Sequence, residues 1–190
     1  MSNDALHREL LHAGLTAFGF RWTDLRRPLQ RVLDTNGNAE IDVWSWNKHA
    51  VYTTNGCSAY SDQGSRYRDE FIAHDFLDEE AVLEVLSYAM FFHMTKRSLK
   101  PADVVAIGPT SNAIGDYTHL FVSVPFFLPA EVNEIELGPL RFTLSWLMPL
   151  VNVEAQFIER HGSDAFESRL KASGYSYFDL RTDLSYLRLD

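Results

Sequence analysis

The length, composition and charge of the chain indicate one acidic globular domain. Its 190 residues, 46% of them hydrophobic, are enough for one domain with a core of its own. The 17 basic and 26 acidic residues give a net charge of −9, which argues against nucleic-acid binding, because such binding uses Lys and Arg to neutralise phosphates. An acidic surface suits a basic protein partner, although it also serves solubility alone.

The sequence also bears on location. No apolar run approaches the roughly 20 residues that a membrane span needs. The first fifteen residues carry acidic side chains and histidines where a secretory signal has a basic and then an apolar region. The single cysteine, Cys57, excludes an internal disulfide, which fits a reducing compartment. We therefore expect a cytoplasmic protein with one domain over residues 1–190.

The chain begins with a predicted helix and an ambiguous stretch. Leucines recur along one stripe of Asp4–Phe18, and Gly19 can end this helix. Phe20–Leu33 holds a cluster of arginines and stays unassigned, because Pro28 prevents one long helix.

A strand with two tryptophans follows. Ile41–Trp46 alternates polar and apolar residues with a period of two, which places Trp44 and Trp46 on the same face. If that face is exposed, the indoles would contact a partner, since Trp is enriched at binding hot spots. If helices cover both sides of the sheet, they belong to the core.

The region from Val51 to Asp75 predicts the centre of the sheet. Strands Val51–Thr54 and Arg68–His74 flank a polar loop, and Asn55-Gly56 favours a sharp turn. A tight hairpin would pair the first strand with Cys57–Ala59. We favour the alternative, in which the chain passes through Ser58–Ser65 first, because this segment has no strand character.

The second half of the chain alternates further helices and strands. Asp78–Arg97 is a helix with a capping Asp78, acidic residues at its start and basic residues at its end. Strands are predicted over Val104–Ile107, His119–Val124 and Arg141–Met148, the last ended by Pro149, and helical structure over Val153–Lys171, with Asn152 and Ser163 as caps and Gly162 between them. Tyr175–Asp190 is too apolar for a disordered tail and should dock on the body or on another subunit.

Together these elements predict an α+β fold. The sheet is twisted and mostly antiparallel, and the predicted helices cover it. Mixed strand order stays open, because the helix after His74 could make a parallel crossover.

Two segments carry a resemblance to a known family. The run Thr-Asn-Gly-Cys-Ser at 54–58, between Ile41–Trp44 and the acidic strand start Asp69–Ile72, resembles the suppressor of fused domain family. FTLSWLMPLVNVEAQFIERHGSDAFESRL, at 142–170, is similar to that family's strand, Pro, acidic and terminal-helix pattern. Cys57 stands where the family usually has Met. The resemblance implies a non-catalytic protein-binding domain. Animal members restrain a transcription factor, and stand-alone bacterial members look like immunity proteins that neutralise toxins.

The residues themselves do not force a reaction. The seven histidines show no metal-ligand spacing, no phosphate-binding loop is present, and we expect no cofactor and no metal. A thiol hydrolase using Cys57 with His74 is one alternative to a binding protein. Glu70 and Glu154 could act as general bases, but such carboxylates more often have structural partners.

The leading hypothesis is an immunity-type protein that binds a basic toxin domain. A second hypothesis is a regulator that masks an extended peptide of an endogenous partner at a sheet edge. The candidate contact residues combine tryptophans, a polar loop and the acidic start of a helix: Trp44, Trp46, Ser58, Tyr60, Asp62, Asp78, Glu79 and Glu80.

Overall fold

The computed structural model describes eleven segments of the chain. They are residues 3–17, 19–28, 40–46, 49–55, 57, 67–74, 78–107, 115–128, 130–137, 140–174 and 184–187. Helices and strands follow one another along these segments: α1 Asn3–Ala17, β1 Arg21–Pro28, β2 Glu40–Trp46, β3 His49–Asn55, β4 Tyr67–His74, α2 Glu79–Thr95, β5 Val104–Ala106, β6 Tyr117–Ser123, α3 Ala130–Asn133, β7 Glu134–Leu137, β8 Leu140–Val151, α4 Asn152–His161, α5 Ser163–Ala172 and a 3₁₀ turn Ser185–Leu187.

The strands of the described segments form one mixed sheet of eight. Its order is β1-β2-β3-β4-β8-β6-β5, and β7 pairs with β8 beside this path. All neighbours are antiparallel except β4 and β8, which run parallel. The predicted α+β class with a mostly antiparallel sheet is confirmed, and the strand order is mixed.

The parallel pair lies at the centre of the sheet. Its register runs from Tyr67 opposite Arg141 to Ile72 opposite Trp146. A side-chain bond reinforces it, because the Thr143 hydroxyl donates to Asp69 Oδ1 at 2.7 Å. The helix α2 follows β4 directly, but it does not lead to a parallel neighbour of β4, because the next strand, β5, lies at the far edge of the sheet. The parallel neighbour of β4 is β8, which comes later in the chain.

The chain reverses between β3 and β4 as we favoured. Val51 pairs with His74 and Thr53 with Ile72, so the returning strand is β4 and not the segment after the Asn-Gly turn. The predicted loop Ser58–Ser65 lies outside the described residues.

Helices cover both faces of the sheet. On one face, α2 packs on alternate strand residues, such as Val43 and Phe71. On the other face, α1, α4, α5 and the 3₁₀ turn pack on the intervening ones, such as Trp44 and Ile72. Because successive strand residues point to opposite faces, the central strands are apolar along most of their length.

Several boundaries differ from prediction. Within the unassigned stretch Phe20–Leu33, residues Arg21–Pro28 form β1, an edge strand whose last residue is Pro28, a place where a missing N–H is tolerated, and residues 29–33 lie outside the described part of the chain. Strand β8 does not end at Pro149, which pairs with Leu120 of β6, beyond the recorded pairing with β4. The short elements α3 and β7 were not predicted.

The helix ends follow the sequence signals at Gly162 but not at the predicted N-caps of α4 and α5. Gly162, with φ of 86°, separates α4 from α5. The N-cap of α4 is Val151, not Asn152, and the N-cap of α5 is Gly162, not Ser163. None of the described helices is long and apolar enough to cross a membrane.

The C-terminal segment docks where the structure describes it. Leu187 is buried in the same core as α4 and α5. The Tyr186 hydroxyl donates to Glu154, and the Tyr186 carbonyl accepts from Arg169 at 3.3 Å. Docking on the body is confirmed for residues 184–187.

The cap of α2 provides a stability prediction. Asp78 Oδ1 accepts a hydrogen bond from the Ala81 N–H at 2.9 Å. Asp78→Ala should lower the free energy of unfolding by about 1 kcal/mol, because this N–H would lose its partner. Urea denaturation followed by circular dichroism measures this change. Asp78→Asn should retain most of the stability, and Glu80→Gln, which removes a charge but no cap, should cost less than Asp78→Ala. Equal losses for Asp78→Ala and Glu80→Gln would contradict the capping role.

Candidate functional site

A gap along one edge of β8 forms a cavity. On that edge β7 pairs with residues up to Thr143, and β6 pairs from Trp146 onward. Leu144 and Ser145 lie between these two ladders and face no strand there among the described residues. The connection from β6 to β7 leaves the sheet at this point, because α3 lies within it.

The cavity has a volume of about 360 Å³. Its lining comes from five parts of the fold: β4, the segment after α2, the β6–β7 connection, the start of β7, and β8. The lining residues used below are Asp69, Lys100, Pro101, Val124, Asn133, Glu134, Leu144 and Ser145. A site assembled from five parts of the fold depends on the whole fold rather than on a local motif.

The polar groups of the cavity are unevenly satisfied. Asp69 accepts the Thr143 hydroxyl, and Glu134 pairs with Arg141 at 2.9 Å. The Oδ1 atom of Asn133 is buried and has no hydrogen-bond partner among the described residues. A buried acceptor without a donor carries an uncompensated loss of hydration, so this amide marks a place where a ligand donor would be stabilised.

Two exposed apolar side chains follow strand β6, one in the wall of the cavity and one outside it. Val124 is 43% exposed and Phe126 is 40% exposed. Phe126 and Phe127 contact the buried Trp146 edge to face, with ring centroids 5.7 Å and 5.3 Å apart. A second depression beside Phe126 is lined by side chains of α5, including Glu167. Phe126 therefore offers an aromatic contact that is held by the core on the side of the sheet that α5 covers.

The acidic start of α2 forms a separate surface. Asp78, Glu79 and Glu80 are all exposed. Asp78 already serves as the cap, so its carboxylate has a structural role. Glu79 and Glu80 remain candidates for contact with a basic partner.

Trp44 is not part of an exposed surface. Its side chain is fully buried, and its Nε1–H donates to Thr53 Oγ1 at 3.0 Å. Of the two alternatives predicted for this strand, the one in which helices cover both sides of the sheet and the indole belongs to the core therefore holds for Trp44. Trp46 lies in β2 opposite His49, and its side chain is not described. Ser58, Tyr60 and Asp62 lie outside the described residues.

The structure does not bring Cys57 and His74 together. Cys57 is buried in the core on the α2 side of the sheet. The His74 ring is 5.8 Å from that of Trp146, which belongs to the core on the opposite side. Burial raises the pKa of the Cys57 thiol well above its usual value, and the charges of Glu70 and Asp69 raise this pKa further. A protonated, enclosed thiol is a poor nucleophile.

Glu70 and Glu154 both have structural contacts. Glu70 Oε2 accepts the Thr54 hydroxyl at 2.6 Å and the Cys57 N–H at 3.3 Å. Thr54 Oγ1 in turn accepts the Phe71 N–H at 2.8 Å, just beyond the last β3–β4 pair. These bonds hold the turn after β3 against β4.

Glu154 is fully buried at the start of α4. Its Oε2 accepts the Val151 N–H at 2.9 Å, and its Oε1 accepts the Tyr186 hydroxyl. This carboxylate thus closes the helix start and fixes the C-terminal segment. In the part of the chain that the structure describes, no three His, Cys, Asp or Glu side chains cluster so as to hold a metal ion.

The cavity was not visible to sequence reasoning. The two prolines of VPFFLPAEVN, Pro125 and Pro129, indicate that the strand ends there, but not that two strands share one edge of β8. Val124 is the last residue of the predicted strand His119–Val124, and Phe126 follows it without a predicted element.

The comparisons with known proteins agree with this architecture. The family model described as Suppressor of fused protein (SUFU) matches residues 37–181. Because this match covers most of the chain, the protein belongs to the suppressor of fused family. No curated protein matches the sequence significantly.

Solved structures of the family share the fold. A suppressor of fused homolog from Neisseria gonorrhoeae is similar with a TM-score of 0.75 at 16% identity, covering 98% of this chain and 100% of that one. The structure of a Sufu–Fu complex is similar with a TM-score of 0.61 at 10% identity, covering 94% and 83%. Drosophila Suppressor of Fused is similar with a TM-score of 0.56 at 10% identity, covering 77% and 42%.

The buried thiol gives a prediction for reactivity and pH. At pH 8 the folded protein should react with a disulfide reagent such as DTNB far more slowly than the urea-unfolded chain, measured by absorbance. The unfolded thiol ionises near pH 8.5 while the folded one, whose pKa is raised, keeps its proton. Stability should therefore fall as the pH rises above about 8.5, with a contribution from this group of at most about 1.4 kcal/mol per pH unit. Cys57→Ala should remove that contribution. Equal reaction rates for the folded and unfolded protein would contradict the burial.

Proposed function

We propose that this protein is a non-catalytic protein-binding domain and that its partner is a basic protein. The observation that carries the proposal is the exposed Val124 in the wall of a cavity built from five parts of the fold, with the exposed Phe126 two residues further along the chain. Family membership supports a binding role, and one related structure is that of a complex of two proteins, Sufu and Fu. The buried Cys57 and the distant His74 give no support to a thiol hydrolase.

The proposed biological role is that of an immunity-type protein that binds and neutralises a toxin domain in the cytoplasm. The net charge of −9 would attract a basic toxin, and electrostatic steering makes such capture fast. Glu79 and Glu80 would add local attraction at the start of α2, where both are exposed. Apolar contact at Phe126 would then stabilise the complex after encounter.

Partner capture from the native cell tests this proposal. The tagged protein, purified at low ionic strength, should retain a basic polypeptide in about equal amount, identified by mass spectrometry. Raising the salt should release it, because salt screens exposed charges beyond about 3 Å at 1 M. Cells that lack the protein should become sensitive to a toxin of their own strain. If no basic polypeptide is retained and the cells gain no sensitivity, the proposal fails.

Charge reversal supplies a matched control for that experiment. The double change Glu79→Lys and Glu80→Lys should slow association with the captured partner by about tenfold at low salt, measured by surface plasmon resonance. The matched control is the double change Glu9→Lys and Glu159→Lys, which reverses the same number of exposed carboxylates on α1 and α4, on the opposite face of the sheet, and should have a smaller effect. Equal effects of the two variants would show that only total charge matters and that the start of α2 is not near the interface.

A regulator that masks a peptide is the second candidate. The observation that favours it is the three-residue strand β5, which lies at one end of the sheet with β6 as its recorded neighbour. An extended peptide could add to that edge through main-chain hydrogen bonds. In that case a short synthetic peptide from the captured partner would bind alone, whereas an immunity protein would need the folded toxin domain.

A further inference from the structure

We propose, resting on the protein-binding function above, that the cavity between β6 and β7 receives a lysine or arginine side chain of the bound protein. The cavity would thus recognise a basic side chain of the partner directly, while the acidic start of α2 attracts the partner from a distance. Three features carry this inference: the apolar walls, the acceptors inside, and the place of the cavity in the sheet.

The apolar walls of the cavity suit the methylene groups of a lysine or arginine side chain. Pro101, Val124 and Leu144 line the cavity and are apolar, and most of the lining surface is of this kind. Lysine and arginine bury their methylene groups along apolar surface while the charged end reaches polar partners. A volume of about 360 Å³ holds one such side chain together with a few waters.

The hydrogen-bond acceptors in the cavity suit the charged end of a lysine or arginine side chain. Asp69 supplies a carboxylate on the cavity wall, and Asn133 supplies a buried Oδ1 that has no donor among the described residues. An ammonium group brings three N–H donors and a guanidinium five, so either has enough donors for both acceptors. Hydrogen bonds between a charged donor and a carboxylate are the strong ones. Glu134 contributes less, because it already pairs with Arg141.

The position in the sheet keeps the cavity open. Leu144 and Ser145 lie between the ladders to β7 and β6, so no described strand fills the space beside them. The bond from Thr143 to Asp69 fixes the carboxylate on the adjoining strand. The acceptor is therefore held in place before a ligand arrives, which lowers the entropic cost of binding.

Lys100 allows a test of the effect of charge on binding in the cavity. It lies in the cavity wall, and no described residue forms an ion pair with it. Its positive charge opposes entry of a second cation, whereas the charge of Asp69 favours it. Neutralising each residue should thus change affinity in opposite directions, which a general loss of structure would not do.

The experiment is an NMR titration of the ¹⁵N-labelled protein with N-acetyl-arginine amide. Saturable shifts are expected at Leu144, Ser145 and the side-chain amide of Asn133. N-acetyl-citrulline amide has almost the same shape without the charge, and it should bind about tenfold more weakly or less.

Three variants complete the test. Asp69→Asn should weaken arginine binding about tenfold, because it keeps an oxygen for Thr143 but loses the charge. Lys100→Gln should strengthen binding severalfold. Ser145→Leu should abolish binding by filling the cavity. If Ser145→Leu fails to fold, the other two variants still decide the matter, since their predicted effects have opposite signs.

Three results would overturn the inference: no shifts with the arginine probe at tens of millimolar, equal shifts with the citrulline probe, or shifts confined to other surfaces. Because the titration uses no partner protein, such a failure leaves the protein-binding proposal standing. Loss of that proposal would instead appear as an absent partner in the capture experiment.

Discussion

The parallel pairing of β4 with β8 is the constraint on which the rest of the structure depends. It joins strands about 70 residues apart along the chain, linking the antiparallel strands β1 to β3 to the pair β6 and β5. Strand β8 has twelve residues, so its other edge is long enough to pair with β7 first and β6 afterwards. The gap between those two partners is the cavity. The cavity is thus a consequence of strand lengths and order.

A sheet covered on both faces explains where the polar groups lie. Trp44 and Phe71 are buried on opposite sides, so an alternating pattern along a strand does not by itself mark a solvent face. The carboxylates of Glu70 and Glu154 are buried because hydroxyl and backbone N–H donors meet them. Each fixes a chain reversal or a helix start near the edge of a core. Their role is to stabilise the fold.

Sequence reasoning succeeded where local signals and tertiary packing agree. The cap at Asp78 and the helical spacing after it located α2 to within two residues. It failed for β1, whose arginines and Pro28 lack strand character, because pairing with β2 overrides local propensity at this edge. It wrongly ended β8 before Pro149. The structure continues the strand there because Pro149 pairs only with β6, beyond the last residue paired with β4, and the sequence does not show where the pairing with β4 stops. The cavity could not be predicted, since it arises where two strands share one edge of a third.

The most direct test is hydrogen exchange by mass spectrometry on the complex with the captured partner, compared with the free protein. The account predicts that binding protects peptides covering residues 98–101, 124–134 and 143–145, which surround the cavity, and leaves α4 and β1 unchanged. Protection confined to β1, α1 or α4, with the cavity segments exchanging as in the free protein, would contradict it. That result would place the interface on the other side of the molecule.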